Sequence, residues 1–149
     1  LASFAGASWR PWFRAPGGYI APWMAKPLAD SGITLDSSVN PTPLLARKAG
    51  TGHDWRQVVD ALREADVVER SWRTSLGLPV CGPALRIPLL SQFSRGRWRN
   101  STRRAKCADD ATLLNADQPV VALYWHLLDH ARQGGRWAPP LHPSLQRSR

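Results

Sequence analysis

The residues with the clearest chemical potential form a cationic segment, "SRGRWRNSTRRAK", at positions 94–106. These thirteen residues carry six cationic side chains and one tryptophan, and they contain no acid. Cations bind the phosphate backbone of nucleic acids by displacing condensed counterions, and an aromatic ring stacks on unpaired bases. Gly96 permits a close approach of the backbone, and Asn100 offers hydrogen bonds to phosphate oxygens. This basic segment therefore predicts a nucleic-acid contact.

Two conformations would gather the charges of the basic segment on one surface. In an extended chain Arg95, Arg97 and Arg99 alternate and share one side, whereas in a helix Arg99, Arg103 and Lys106 align through three- and four-residue spacing. An acidic protein, a lipid surface or plain solvent are the alternatives to a nucleic acid. We predict that nine residues contact RNA, including two from the N-terminal region: Arg95, Arg97, Trp98, Arg99, Arg103, Arg104, Lys106, Arg10 and Arg14.

No other group of residues has the spacing of a catalytic or metal site. His126 and His130 stand four apart, but Leu127 occupies the position where a metalloprotease needs glutamate. Asp109 and Asp110 are adjacent, so in an extended chain they point to opposite sides. The sequence contains neither a nucleophile elbow nor a phosphate-binding glycine loop. We therefore predict no catalytic residue, no metal, no cofactor and no small-molecule substrate, and hence no enzyme.

The elements that must position the basic segment begin with a helix over residues 54–76. Its apolar residues recur at three- and four-residue spacing, with Glu69 as the exception on the apolar face. Asp54 and Gln57 resemble a capping box at its start. A second helix is predicted over 119–133. The predicted fold class is therefore mainly α, a small helical body with long irregular Pro/Trp-rich extended arms.

The start of the second helix has its own sequence signals. Asp117 is suited to the N-cap, and Pro119 near the first turn has no N–H that would be left unpaired. Gly134 and Gly135 close the helix at its other end.

Proline content divides the chain into three parts. Residues 1–50 are predicted as an extended Pro/Gly/Trp-rich arm without a core of its own, although "GITLDSSV" at 32–39 favours a short strand. Residues 51–133 form the helical body, which includes the basic segment. Within it the apolar stretch 78–93 is predicted to be a buried extended segment or an edge strand, because three prolines interrupt it. Residues 134–149 form an extended C-terminal tail.

Composition restricts the partners that such a chain can have. The eight tryptophans exceed what a core of 149 residues needs, so they pack either against another molecule or onto the chain's own proline-rich loops. Two cysteines, Cys81 and Cys107, allow one disulfide bridge, but free thiols in a reducing compartment are favoured. No run of 18 apolar residues exists, and we therefore predict no membrane span.

The net charge of +9 is concentrated in two parts of the chain. Residues 1–50 contribute +3 and residues 95–106 contribute +6, whereas 51–94 and 107–149 are each neutral. A block of one sign repels itself, and a polyanionic partner relieves that repulsion. Residues 1–29 contain no acid, which resembles the neighbourhood of an organellar transit peptide, so Leu1 is interpreted as the mature start of an imported protein.

These observations predict a structural constituent of a ribosome in the mitochondrial matrix. The basic segment would bind the rRNA backbone, and the extended arms would bind neighbouring proteins of the assembly. A different hypothesis is a supernumerary, non-catalytic subunit of a mitochondrial respiratory complex, in which the arginines meet lipid head groups or acidic loops. A free-standing nucleic-acid-binding regulator is the third hypothesis. Sensitivity of the association to nuclease separates the first hypothesis from the second.

Overall fold

A computed structural model describes residues 9–41, 54–75, 78–79, 88–104 and 108–123 of the protein. Within these ranges the α-helices are α1 (Ala25–Asp30), α2 (Trp55–Glu64), α3 (Pro88–Arg104) and α4 (Asp110–Leu114). The strands are β1 (Trp12–Phe13), β2 (Leu35–Asp36), β3 (Val68–Glu69), β4 (Thr74–Ser75) and β5 (Leu78–Pro79). Two 3-10 turns, Pro16–Gly18 and Pro22–Met24, precede α1.

The centre of the fold is a parallel sheet in the order β1-β2-β3. Leu35 in β2 pairs with Trp12 on one side and with Val68 on the other. Parallel neighbours need a long crossover connection, and α1 and α2 lie in the two crossovers. Helices make up 45% of the described part of the chain, which confirms the helical content of the prediction, but a small three-stranded parallel sheet accompanies them, so this part is not clearly mainly α.

Residues 9–41 differ from the extended arm that the proline content predicts. Pro16 and Pro22 begin the two 3-10 turns, positions where a missing N–H costs no hydrogen bond. The apolar residues between the prolines then reach the core and pack against α2. The buried cluster consists of Ala15, Ile20, Ala25, Val39, Val58, Leu62 and Val67. Residues 1–8 and 42–50 of the predicted arm lie outside the described ranges.

The short strand predicted within residues 32–39 is confirmed as β2, and both of its residues are buried. The stretch 78–93 is divided between two elements. Leu78–Pro79 form β5, which pairs antiparallel with β4, and from Pro88 onward the chain is helical. The extended conformation that we predict there is therefore wrong from residue 88 onward.

Helix α2 begins where the sequence predicts and ends twelve residues early. The Asp54 carboxylate accepts a hydrogen bond from the backbone N–H of Arg56 at 3.1 Å, which confirms the N-cap. The last helical residue is Glu64, and the chain then enters β3. The apolar residues that follow Glu64 therefore lead into β3 and do not form the apolar face of a helix.

A left-handed residue causes this early end. Asp66 has φ = 58°, and its N–H donates to the Arg63 carbonyl at 3.1 Å. The Val67 N–H donates to the Leu62 carbonyl at 2.9 Å, and both of these side chains are buried. These are the hydrogen bonds and the apolar contact of a Schellman motif, which reverses the chain after a helix. The reversal brings Val68 and Glu69 alongside β2.

The prediction of a helix over 119–133 is wrong at its beginning. Residues 119–123 are not helical, and Asp117 lies in a turn in place of an N-cap. Ala122 forms a parallel bridge with Trp72, and its carbonyl accepts a hydrogen bond from the Arg73 N–H at 2.9 Å. The Ala122 carbonyl is thus bound to the chain after β3 and is not used in a helical hydrogen bond. Residues 124–133 and the predicted tail 134–149 lie outside the described ranges.

Among the helices that the structure describes, none combines the length and the apolar character needed to cross a membrane.

The Schellman motif makes a testable prediction at Asp66. A side chain at positive φ is strained, so Asp66→Gly is expected to raise the free energy of unfolding by about 0.5–1 kcal/mol. Asp66→Val is expected to lower it by more than about 1 kcal/mol, because a β-branched residue tolerates this conformation poorly. Chemical denaturation measures both. Equal stability of the two variants would contradict the left-handed conformation.

Candidate functional site

The basic segment is helical as far as Arg104, so its arginines lie on α3. Pro88 occupies the first position of this 17-residue helix, and no other proline follows within it. Six of the nine predicted RNA contacts are on α3: Arg95, Arg97, Trp98, Arg99, Arg103 and Arg104. Lys106 lies outside the described ranges. The helical alternative for the basic segment is therefore the one that the structure adopts.

The charges of α3 do not share one side of the helix. Positions 95, 99 and 103 recur every four residues along one side, whereas position 97 lies well round the helix from them. Arg97 and Arg99 are exposed, and the Arg97 guanidinium lies 5.2 Å from the centre of the Phe93 ring. The cationic positions of α3 therefore fall on more than one side of the helix.

Trp98 has a different position from the one that RNA stacking requires. Its side chain is only 8% exposed, between the exposed residues Arg97 and Arg99. The structure therefore does not expose the Trp98 ring for the stacking that we predict. Phe93 and Leu89 are instead exposed, 45% and 82% respectively. Their four-residue spacing indicates an exposed apolar stripe only on a helix, and the sequence predicts an extended chain there.

Arg10 and Arg14 both have contacts within the protein. The Arg10 guanidinium forms an ion pair with Asp110 of α4 at 2.9 Å, and both side chains are about half exposed. Arg14 donates to the Ser37 carbonyl at 2.9 Å, and its guanidinium lies 4.9 Å from the centre of the Trp72 ring. The sequence did not predict these structural contacts.

A buried carboxyl pair, Asp36 and Glu69, lies at the carboxyl ends of β2 and β3, where the two residues are register partners. The Asp36 carboxylate is fully buried and accepts hydrogen bonds from the Ser38 hydroxyl at 2.6 Å and the Ser38 N–H at 2.9 Å. The Ser38 hydroxyl in turn accepts one from the Ala15 N–H at 2.7 Å. These bonds join the end of β2 to the turn that follows β1.

Glu69 holds a proton at neutral pH. Burial is the largest of the causes that raise the pKa of Glu69 to about 10, and the hydrogen bond to Asp36 and the charge of Asp36 act in the same direction. Glu69 Oε1 accepts from the Val39 N–H at 3.2 Å and the Ser71 hydroxyl at 3.3 Å. Glu69 Oε2 is buried with no hydrogen-bond donor among the described residues. A proton on Glu69 Oε2 gives this buried oxygen a hydrogen bond, because the proton can be donated to the Asp36 carboxylate.

Arg70, the residue that follows β3, satisfies four backbone carbonyls near the end of α4. Its side chain is 9% exposed, and its donors reach their acceptors at 2.6–3.1 Å. A cation is favourable at a helix C-terminus, where the last carbonyls have no partner within the helix. The four acceptors are the carbonyls of Thr112, Leu113, Asn115 and Gln118. Arg70 therefore fixes the segment that leads to the bridge at Ala122.

The carboxyl edge of a parallel sheet is where open α/β folds bind their ligands. In this protein the buried carboxyl pair and Ser38 occupy that edge and bind one another. The network therefore packs the strand ends and does not offer its carboxylates to solvent. In the ranges that the structure describes, no group of three histidine, cysteine or acidic side chains is placed to hold a metal ion. The exposed chemistry lies on α3.

Comparisons with known proteins do not identify the chain: no protein-family model matches it, and no curated protein or solved structure matches it significantly.

The proton on Glu69 makes stability depend on pH. The folded-state pKa of about 10 lies above the ordinary value of 4.5. The contribution of Glu69 to the free energy of unfolding is therefore complete below pH 4.5 and declines as the pH rises towards 10. Between pH 5 and 9 the free energy of unfolding of the wild type, relative to that of Glu69→Gln, is expected to fall by about 1.4 kcal/mol per pH unit.

Denaturant titrations at several pH values measure this difference. Glu64→Gln, which removes an exposed glutamate of α2, is the matched control and is expected to keep the wild-type dependence. A difference between the wild type and Glu69→Gln that does not change with pH would show that Glu69 is ionised in the folded protein.

Proposed function

We propose that this protein binds the phosphate backbone of RNA through α3, as a non-catalytic constituent of a ribonucleoprotein. The observation that carries the proposal is the charge of this helix. Residues 88–104 contain five arginines and no acid, and Arg97, Arg99 and Asn100 are exposed. Each arginine that meets a phosphate releases condensed counterions, which is the main driving force for such binding.

The position of Trp98 supports this proposal in a second way. The ring is buried, whereas the neighbouring Arg97 and Arg99 are exposed, and we infer that the ring holds α3 in place. A cationic helix that is already held in place loses less conformational entropy on binding than a free loop of the same composition. The buried tryptophan thus has a supporting role in RNA binding.

The specific particle that we propose is a ribosome of the mitochondrial matrix. Exposed aromatic residues suit contacts with neighbouring proteins, since tyrosine and tryptophan are enriched at interfaces. Trp23 is 71% exposed and Tyr19 is 57% exposed, and both lie close to the start of α1. In the proposed assembly α3 lies on rRNA and these two aromatic side chains lie on protein.

A subunit of a respiratory complex is the second candidate, and one observation favours it. Leu89 and Phe93 are exposed on the same helix as the arginines, and apolar and basic residues together can rest on a lipid surface. Such an association would not depend on RNA.

Sedimentation of the endogenous protein with and without RNase tests the assignment. We expect it to migrate with ribosomal particles and to leave them after RNA digestion. The quintuple variant with Arg95, Arg97, Arg99, Arg103 and Arg104 changed to Gln is expected to enter these particles less efficiently, with its helical content unchanged. Migration with an inner-membrane complex that RNase does not alter would reject the ribosome and select the second candidate.

The salt dependence of RNA binding tests the role of α3 directly. Because single-stranded nucleic acids release about 0.7 counterions per phosphate contact, Arg97→Gln with Arg99→Gln is expected to reduce the slope of log K against log salt by about 1.4. Arg56→Gln with Arg63→Gln, which removes the same charge from exposed positions on α2, is the matched control. Equal slopes for the two double variants would contradict a contact through α3.

A further inference from the structure

Three side chains form an exposed stripe along α3, which we call the α3 stripe: Leu89, Phe93 and Arg97. They recur every four residues, so they lie one above the other on the same side of the helix. Leu89 is 82% exposed and Phe93 is 45% exposed. The Arg97 guanidinium lies over one face of the Phe93 ring, 5.2 Å from its centre. The stripe thus combines a cation with an aromatic platform.

Contact with phosphates alone does not explain the α3 stripe. A helix that only neutralises a double-stranded backbone needs cations and polar side chains, whereas an exposed leucine and phenylalanine remain in contact with water. The π-face of an unpaired base matches an aromatic ring, and a guanidinium plane extends the same stacking surface. The aromatic and apolar residues therefore indicate a ligand with exposed bases.

We propose that the α3 stripe binds the unpaired bases of single-stranded RNA, with Phe93 as the stacking platform. This inference rests on the proposed function of α3 as an RNA contact, and it specifies the form of RNA that α3 prefers. The Arg97 guanidinium stays over the ring, and both Arg97 and Arg99 contact the adjacent phosphates. The stacking role that we predict for Trp98 thus passes to a residue outside the basic segment.

The polar neighbours of the α3 stripe favour bases over a lipid surface. Gln92, Gly96 and Asn100 are exposed, and their spacing places them on the same side of the helix as the stripe. A helix that lies in a membrane needs a continuous apolar face, which these residues interrupt. The amide groups of Gln92 and Asn100 can instead hydrogen-bond the edges of unpaired bases.

Fluorescence anisotropy with the full chain tests the proposal. The probes are a labelled single-stranded U-rich RNA 12-mer and an RNA duplex of the same length, each titrated at constant salt. The wild type is expected to prefer the single strand. Phe93→Leu keeps an apolar side chain but removes the ring, and it is expected to weaken single-strand binding about 5- to 100-fold while leaving duplex binding and the salt slope unchanged.

Two further variants control for folding and for general loss of aromatic surface. Phe93→Trp is expected to bind the single strand at least as tightly as the wild type, which a damaged helix would not do. Trp23→Leu removes an exposed ring that lies outside α3, and it is expected to bind both RNAs like the wild type.

The possible outcomes separate this inference from the proposed function. Equal binding of single strand and duplex, or equal losses for both RNAs in Phe93→Leu, overturns the stacking role and leaves α3 as a backbone contact. No binding of either RNA refutes the proposed function itself. Binding of phosphatidylserine vesicles that depends on Phe93, without RNA binding, overturns both and assigns the α3 stripe to a lipid surface.

Discussion

The arrangement of the strands depends on a proton that stays on Glu69. Two carboxyl groups that end adjacent parallel strands repel each other when both are ionised, and burial increases that repulsion. With Glu69 neutral, Asp36 becomes the acceptor at the centre of a hydrogen-bond network. Asp36 binds Ser38, Ser38 binds the Ala15 N–H, and Glu69 binds the Val39 N–H. One proton thus allows β2 to connect with its neighbours on both sides.

Arginine has two distinct roles in this protein, which the net charge does not reveal. Arg14 and Arg70 donate to backbone carbonyls and hold the turn after β2 and the end of α4. Arg97 and Arg99 are exposed on α3. The first pair stabilises the fold by satisfying carbonyl groups, and the second pair is the basis of the proposed RNA contact. Net charge alone therefore does not reveal which arginines bind backbone carbonyls.

The sequence predicts those features that arise from neighbouring residues. The N-cap at Asp54 and the strand at β2 follow from local patterns, and both are present, whereas the sequence leaves the basic segment open between an extended chain and the helix that the structure shows. The sequence does not predict features that depend on an uncommon local conformation or on distant contacts. The end of α2 requires Asp66 to adopt a left-handed conformation, and the extended chain at Ala122 requires Trp72 as its partner. Proline density also misled the prediction for residues 9–41, because proline is compatible with the first position of short helical turns.

Glu69 and Arg70 are neighbours in the chain, yet their side chains serve separate parts of the fold. Successive side chains of a strand point to opposite faces, so the acid faces Asp36 and the guanidinium faces the carbonyls after α4. The two side chains therefore meet different surroundings. Glu69 accepts from N–H and hydroxyl donors, and Arg70 donates to backbone carbonyl oxygens. Exchanging the two residues would preserve composition and net charge but would place a carboxyl group among the backbone carbonyl oxygens that now accept from Arg70.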